Sequence, residues 1–225
     1  MASQYKIKIR QAKISDIDRI TEIERKTWGD SGAADAQKLK SRIEIFPNGI
    51  LVAELDNKII GVVATEIINY DDWGNKNFTW YDVTDNGFIK KTHNPHGDMI
   101  YGVDLSVIPD APPNIGTKLL ECIGKLAIRY NFKGGMLGGR IPNYHKFSSQ
   151  YSPEEYIKQK IKTKNGLEPL DPEIRFYLRA NLKIMKVMPD YFQDPESLDY
   201  GILLLWENPF YGKWYRKIAA FLFKV

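Results

Sequence analysis

The chain has 225 residues, of which 43% are hydrophobic and 27% are charged, a balance typical of a globular protein and not of a disordered or fibrous one. Its 32 basic and 28 acidic residues give a net charge of +4 without any basic cluster, so we expect no nucleic-acid partner. The single cysteine, Cys122, excludes an internal disulfide and a cysteine-rich zinc site.

The first predicted elements are a strand and two helices. Residues 5–10 alternate apolar and charged side chains, which is the period of a strand with one buried face. Ser15 is then a candidate N-cap for a helix. The apolar residues of this helix recur at every third position on one side, at Ile17, Ile20 and Ile23. A stretch rich in glycine, alanine and aspartate separates it from a second predicted helix over residues 36–45.

A hairpin and a long polar loop follow these helices. Residues 50–55 and 59–65 are β-rich runs separated by a turn that contains aspartate and asparagine, and this pattern predicts a hairpin. Residues 69–98 are polar and aromatic and are rich in asparagine, aspartate and glycine. Because a loop of this length inside a compact domain is usually functional, we expect it to contribute to a site.

The centre of the chain predicts a strand, a helix and a second strand. Residues 99–107 form the first strand, and a short loop leads from it into a helix over residues 114–130. Residues 134–139 are apolar and rich in glycine, which lets another backbone or a ligand approach closely.

The last predicted elements complete an α/β fold. Helices are expected to begin at Ser152 and at Asp171, where a capping residue precedes proline, and strands are expected over residues 183–188 and 200–206. Strands and helices alternate, but the hairpin requires antiparallel pairing. The sequence therefore predicts a mixed, mostly antiparallel central sheet flanked by helices.

We expect one domain over residues 1–209 and an amphipathic C-terminal tail over residues 210–225. No stretch approaches the roughly 18 apolar residues that a membrane span requires, and residues 1–11 lack the apolar segment of a signal peptide. A cytoplasmic protein without stable membrane insertion is therefore expected. Three uses of the basic and apolar tail remain open: a membrane surface, a homodimer contact, or a cover for the domain's own core.

The junction between the strand over residues 99–107 and the helix after it is the most informative part of the sequence. A helix N-terminus presents free backbone N–H groups with the helix dipole behind them, which suits a pyrophosphate, although an ordinary capped helix has the same local pattern. Residues 105–120 resemble motif A of the GNAT (Gcn5-related N-acetyltransferase) superfamily, a hydrophobic strand followed by Pro-Asp and a glycine-rich loop. In this chain Gly116 fits the last glycine, Asn114 stands at the middle one, and Pro112 and Pro113 replace an Arg-Gly pair.

The resemblance implies that the chain binds acetyl-CoA or another short acyl-CoA, with no metal. It also implies that the thioester lies between the strand ending near Val107 and the helix starting near Asn114. The residues that it implies in cofactor binding are Leu105, Ser106, Val107, Asn114, Ile115, Gly116 and Thr117.

Other segments resemble a longer GNAT subgroup that is often fused to a nitrilase-like carbon–nitrogen hydrolase domain. They are residues 82–87, 101–107, 138–145 and 203–209. The Gly-Gly-Arg-Ile-Pro-Asn-Tyr-His run over residues 138–145 is the specific one, and the resemblance as a whole covers roughly residues 5–210.

Residues 175–182 resemble the GNAT Phe-Tyr-x-x-x-Gly-Phe element, with Asn181 at the glycine. Tyr177 then stands where many family members have a tyrosine that protonates the departing thiolate. A phenol whose ordinary pKa is about 10 can donate to a thiolate whose ordinary pKa is about 8.5 once the two are within hydrogen-bond distance. The alternative for Tyr177 is an aromatic residue packed beside Phe176.

The implied reaction is direct attack of a small-molecule or peptide amine on the thioester, with the oxyanion held by a backbone N–H such as that of Val107. Glu66, Asp104 and His145 are candidates for accepting the proton of the amine, and each also has a purely structural explanation. Trp28 either lines the acceptor pocket or is a core aromatic residue.

Three alternatives compete with this interpretation. His93 and His96 suggest a metal site, but no helix or strand fixes their geometry, so we expect none. A GNAT-like group in polyketide loading modules handles acyl thioesters on carrier proteins and uses a histidine where this chain has Tyr177. The tyrosine argues against that chemistry here. The non-enzyme alternative is a catalytically inactive GNAT-shaped module that binds an acyl-thioester or a peptide, since Pro112 and Pro113 remove two N–H donors.

Overall fold

The computed structural model describes residues 6–222, so Tyr5 of the first predicted strand and residues 223–225 of the tail lie outside it. Within this range the strands are β1 (Ile7–Gln11), β2 (Ile50–Leu55), β3 (Lys58–Ile68), β4 (Met99–Val107), β5 (Gly134–Arg140), β6 (Lys160–Thr163), β7 (Gly166–Pro169), β8 (Lys183–Met188) and β9 (Gly201–Glu207). The helices are α1 (Ile17–Gly32), α2 (Ala36–Ile45), α3 (Tyr70–Trp73), α4 (Trp80–Val83), α5 (Ile115–Tyr130), α6 (Pro153–Tyr156), α7 (Pro172–Arg179) and α8 (Arg216–Leu222).

Seven strands form one twisted sheet in the order β1-β2-β3-β4-β5-β9-β8. Every neighbouring pair in it is antiparallel except β4 and β5, which are parallel. This confirms the expected mixed, mostly antiparallel sheet flanked by helices. β6 and β7 form a separate antiparallel hairpin that the sequence analysis did not predict.

β4 and β5 lie side by side over only part of their length. Their parallel pairing covers residues 99–102 of β4, whereas β4 stays paired with β3 as far as Val107 and β5 stays paired with β9 as far as Arg140. The register between β3 and β4 shifts at Ala64 and Thr65, where the divergence begins. The sheet therefore opens between β4 and β5.

The position of this opening corrects one expectation. From the sequence, β4 and α5 were expected to separate, but the element that separates from β4 is β5. The helix stays packed against β3, β4 and β5. The apolar residues of α5, among them Ile115, Leu119 and Ile123, hold it on the sheet because they are buried there.

The apolar face of α1 is confirmed, but its predicted cap is wrong. Ile20 and Ile23 are fully buried in the main core. Ser15, however, lies inside a 3₁₀ turn, and α1 begins after Asp16 without a side-chain cap. The carboxylate of Asp16 instead accepts from the Lys13 backbone N–H at 2.7 Å and pairs with Arg10 at 2.6 Å. A tertiary ion pair thus fixes the start of the helix.

The C-terminal segment lies partly on the domain. α8 contacts α5, and Ala220 is buried. Trp214 and Phe221 are more than four-fifths exposed, at 84% and 82%. None of the helices within residues 6–222 is long and apolar enough to cross a membrane.

Candidate active site

A cavity of about 800 Å³ lies where β4 and β5 diverge, and both faces of the sheet contribute to it. On one face of the sheet, Ser106 of β4 forms a hydrogen bond with Trp28 of α1. On the other face, Leu105 of β4 and Phe176 of α7 are close to Gly116 of α5, because a Cβ added at Gly116 would lie 3.7 Å and 3.3 Å from their side chains. Because neighbouring residues of a strand point to opposite faces, the cavity has two sides. We call them the α1–α2 side, which Ser106 faces, and the α5–α7 side, which Leu105 faces.

A chain of hydrogen bonds crosses the α1–α2 side. The indole Nε1 of Trp28 donates to Ser106 Oγ at 2.8 Å. Ser106 Oγ in turn donates to the two carboxylate oxygens of Asp104 at 3.3 and 3.4 Å. Both Trp28 and Asp104 line the cavity. The structure thus brings the predicted acceptor-side tryptophan and one of the three candidate bases into a single network.

Glu24 of α1 is a second carboxyl group in the same part of the cavity. It is only 1% exposed, and its Oε2 accepts from the Ala34 backbone N–H at 3.3 Å. Burial raises the pKa of Glu24 well above its ordinary value, and the neighbouring Asp104 carboxylate raises it further. Glu24 therefore keeps its proton to a higher pH than an exposed glutamate does, and it lies beside Asp104 in the cavity lining.

Aromatic residues form the outer wall of the α1–α2 side. The ring of Phe192 lies 5.4 Å from that of Trp80, 5.7 Å from Tyr81 and 6.1 Å from Trp28, between ring centroids. Trp80 Nε1 donates to the Val103 carbonyl at 2.8 Å, which ties this wall to β4 at the start of the divergence. The wall offers a ligand an extended apolar and π-rich surface.

Tyr177 of α7 lies in the cavity beside β5. Its hydroxyl donates to Glu173 Oε2 at 3.3 Å, and a Cβ added at Gly139 would meet its ring at 2.6 Å, so the glycine is what leaves room for the phenol. Burial raises the pKa of Tyr177 well above its ordinary value, and the nearby Glu173 adds to this. Burial also raises the pKa of Glu173 to about 7, partly offset by Arg140. The phenol therefore stays protonated near neutral pH.

Arg140, from the specific run over residues 138–145, connects the end of β5 to this site. Its Nε and Nη2 donate to the Asp194 carboxylate at 2.8 and 2.9 Å, and Nη2 also donates to Glu196 at 2.8 Å. The guanidinium lies over the Trp28 ring, 5.3 Å from its centroid. Arg140 thus fixes Trp28 and the 194–196 loop relative to the opening.

The edge of β4 that faces the opening carries free backbone groups. Ile108 N–H donates to the Ile60 carbonyl, toward β3. Since the backbone groups of successive residues in a strand point to alternate edges, Leu105 and Val107 present their N–H groups to the other edge, toward the opening. These are two of the residues that the resemblance implied in cofactor binding.

The loop before α5 has the conformation of a glycine-containing loop. Asn114 has φ +69°, in the left-handed region that asparagine tolerates better than most residues, and its side chain makes no capping hydrogen bond. Pro112 and Pro113 before it have no N–H to offer. The N–H groups that have no partner within the helix are those of the first turn, namely Ile115, Gly116 and Thr117.

Two candidate bases lie outside the cavity lining. Glu66 is fully buried in β3, where its Oε2 accepts from the Thr92 hydroxyl at 2.7 Å. His145 is exposed, and its Nδ1 lies 2.8 Å from the Glu196 carbonyl and 3.0 Å from that of Pro142. Of the three candidates, the structure places only Asp104 in the cavity lining.

The side chain of His93 in the long loop packs within the fold. His93 Nδ1 accepts from the Ile67 backbone N–H at 3.1 Å, and its ring packs on Phe46 with centroids 4.9 Å apart. Over residues 6–222 no group of three or more His, Cys, Asp and Glu side chains is placed to hold a metal ion.

Sequence reasoning missed several charged residues that line the cavity, among them Glu24, Arg42, Arg140 and Glu173. A local signal existed for one of them. Arg42 lies within the buried stripe that Leu39 and Ile43 define on α2, and an arginine inside an apolar stripe is unusual. The contacts of the other residues come from parts of the chain far apart in sequence.

Comparison with known proteins gives two relatives from Bacillus subtilis (strain 168). The chain is 32% identical over 210 residues to the uncharacterized N-acetyltransferase YkwB, a match that covers 91% of this chain and 90% of YkwB. It is 34% identical over 207 residues to the probable hydrolase YhcX, a match that covers 91% of this chain but only 39% of YhcX. No family model matches the chain.

Solved structures share the fold. The loading GNATL domain of CurA from Lyngbya majuscula superimposes with a TM-score of 0.71 at 24% identity, covering 90% of this chain and 98% of that domain. The GphF GNAT-like decarboxylase, solved in complex with isobutyryl-CoA, gives a TM-score of 0.74 at 21% identity, covering 89% of this chain and 99% of that one.

Proposed function

This chain belongs to the GNAT superfamily, and we propose that it transfers a short acyl group, such as acetyl, from acyl-CoA to a primary amine. The observation that carries the proposal is the opening between β4 and β5. There, one cavity has Asp104 and Glu24 on one side of the sheet and Tyr177 near the other. An amine and a thioester that approach from opposite sides would meet between these groups.

The proposed place of acyl-CoA follows the free edge of β4. Its pantetheine arm would run along Leu105, Ser106 and Val107, and its pyrophosphate would accept from the first-turn N–H groups of α5. The left-handed Asn114 gives the loop the turn that a glycine would otherwise supply. The isobutyryl-CoA bound by the GphF decarboxylase, whose fold this chain shares, supports an acyl-CoA ligand.

The proposed reaction uses three groups. Asp104 accepts a proton from the amine, directly or through water, while the amine nitrogen bonds to the thioester carbon. The backbone N–H of Val107 stabilises the oxyanion of the tetrahedral intermediate. The carbon–sulfur bond then breaks, and Tyr177 donates its proton to the leaving sulfur. The burial that raises the pKa of Tyr177 would also raise the pKa of the CoA thiol beside it. Proton transfer from the phenol to the thiolate therefore stays feasible.

Thermal unfolding and thiol release test the proposal. We expect acetyl-CoA and CoA each to raise the Tm, because a ligand that binds only the folded state stabilises it. We also expect acetyl-CoA to release thiol only when an amine is present. A missing Tm shift with both compounds would contradict acyl-CoA binding.

A second candidate function is a catalytically inactive module that binds an acyl-thioester or a peptide. Pro112 and Pro113 favour it, because they remove two N–H donors from the loop that would hold the pyrophosphate. This candidate predicts no thiol release with any amine, and a module that binds another ligand, such as a peptide, also predicts no Tm shift with acetyl-CoA. The same two measurements therefore separate the candidates.

A further inference from the structure

Arg42 is a buried cation in the cavity wall. It lies on α2, is 1% exposed and lines the cavity. Its Nε donates to the Gly87 carbonyl at 2.7 Å, but its Nη1 is buried without a hydrogen-bond partner among residues 6–222. Within the same part of the chain it forms no ion pair with a carboxylate. A buried guanidinium with an unused donor is energetically costly, so such a group is normally matched by an anion.

The loop that holds Arg42 has an unusual backbone. Asp85, Asn86 and Gly87 have φ values of +51°, +55° and +85°, and Ile89 has φ +54°. A positive φ is strongly disfavoured for a β-branched residue such as Ile89, which is fully buried. Strain of this kind persists only where the surrounding structure imposes it, often at binding sites.

Contacts around this loop fix the guanidinium in place. A Cβ added at Gly87 would lie 2.8 Å from Arg42 Nη2, 2.8 Å from the Trp80 ring and 3.5 Å from Lys38, so only glycine fits there. Ser41 Oγ also donates to the Phe88 carbonyl at 2.8 Å. The arginine is therefore pre-organised, which lowers the entropy lost when it binds a ligand.

The nearby carboxyl groups do not neutralise Arg42. Burial raises the pKa of Glu66 to about 8 and that of Glu24 well above its ordinary value, although the charge of Arg42 lowers both in part. Neither carboxyl lies within ion-pair distance of Arg42 among residues 6–222. Lys38, four residues before Arg42 on α2, also lines the cavity and adds a second positive charge. This corner of the cavity is thus suited to a negatively charged group.

We propose that Arg42 binds a carboxylate of the acceptor, so that the acceptor is a small zwitterion with a primary amine and a carboxylate, of the amino acid class. The proposal rests on the acyltransfer function above. The amine end would lie near Asp104, which lines the cavity. The body of the molecule would pack on the wall formed by Trp80, Tyr81 and Phe192.

Matched acceptors test the proposal directly. Thiol release from acetyl-CoA is measured with free amino acids, with their carboxamides, with the amines that lack the carboxylate, and with aminoethyl phosphate. We expect kcat/KM for at least one amino acid to exceed that for its carboxamide by about 10-fold or more, since the amide leaves the buried guanidinium unpaired. Preference for aminoethyl phosphate over all amino acids would overturn the carboxylate assignment.

Variants assign the preference to Arg42. Arg42→Gln should remove the advantage of the amino acid over its carboxamide while leaving the Tm shift with acetyl-CoA intact. Ser41→Ala is the matched control, because it removes the other hydrogen bond between α2 and the same loop and keeps the guanidinium. It should retain the preference. If Arg42→Gln does not fold, Arg42→Lys serves instead, and a preference retained as fully as in Ser41→Ala would count against the proposal.

The outcomes separate this proposal from the function on which it rests. If carboxamides or simple amines react as well as amino acids, the carboxylate site is wrong and acyltransfer stands. If acetyl-CoA binds but no amine releases thiol, calorimetry with N-acetyl amino acids decides. Binding to the wild type that is lost in Arg42→Gln supports the site without the reaction, whereas no binding overturns the site as well.

Discussion

Glu66 is expected to make the protein less stable as the pH rises toward neutrality. Its carboxyl is fully buried in β3, and burial raises its pKa from 4.5 to about 8. The folded state therefore holds a proton on Glu66 that the unfolded state releases between these two values. Stability falls as pH rises wherever the folded state binds more protons than the unfolded one, so the loss begins above about pH 4.5 and levels off above about pH 8.

The size of this loss follows from the two pKa values. One unit of pKa difference corresponds to about 1.4 kcal/mol, so the full difference corresponds to roughly 4 to 5 kcal/mol as an order of magnitude. Between about pH 5 and pH 7 the contribution of Glu66 to the free energy of unfolding should fall by about 2.5 kcal/mol. That is a large part of the roughly 5 to 15 kcal/mol that stabilises a typical domain.

Glu66→Gln tests this reasoning, because glutamine has the same shape and cannot titrate. Urea unfolding of both proteins is measured from about pH 5 to pH 8, and the difference between their free energies of unfolding is plotted against pH. We expect the variant to gain on the wild type by about 2 to 3 kcal/mol between pH 5 and pH 7. Glu24 and Glu173 titrate in both proteins, so their effects cancel in the difference. Parallel curves would refute a strongly raised pKa for Glu66.

Three further predictions concern the proposed reaction. Tyr177→Phe should lower kcat by on the order of 10- to 100-fold, while acetyl-CoA should still raise the Tm. The control Tyr211→Phe alters an exposed tyrosine and should change neither kcat nor the Tm shift. Unchanged turnover in Tyr177→Phe would remove Tyr177 from the mechanism. Asp104→Asn should lower kcat/KM by about 100-fold at neutral pH in thiol-release assays, and a smaller effect than that of Glu66→Gln would count against Asp104 as the base. Asn114→Ala should lower the free energy of unfolding in urea by about 1 kcal/mol and weaken acetyl-CoA binding. Asn114→Gly should preserve stability and binding, because glycine adopts φ +69° freely. Equal behaviour of the two variants would contradict this role of the loop.

Local patterns in the sequence were enough to predict most elements of the sheet. The predicted bounds of α2, β2, β4 and β8 match the structure, because the alternation of apolar and polar residues, the turn residues and the helix caps that define them lie within a few positions. The hairpin of β6 and β7 was missed, since its residues are mostly exposed and have no apolar period. The predicted N-cap at Ser15 is wrong because Asp16 pairs with Arg10 across a turn. Local capping patterns do not include such a tertiary contact.

The candidate site was predicted where it depends on local sequence and missed where it depends on distant contacts. Tyr177, Asp104 and Trp28 were expected from motif and position, and the structure places all three in one cavity. Glu66 and His145 were equally plausible from the sequence, but only the tertiary structure shows that one is sealed in the core and the other is bonded at the surface.

The sequence by itself determined the strand–loop–helix junction around Asn114 and the family resemblance, because both reside in contiguous residues. Only the tertiary structure decided where the sheet opens, because β5 leaves β4 through its pairing with β9, a strand about 65 residues later in the chain. It alone also decided the electrostatics of the cavity. Glu24 lies beside Asp104, and Arg42 donates to the Gly87 carbonyl, although the partners are far apart in sequence. The shifts in pKa arise from burial, which no local pattern in the sequence encodes.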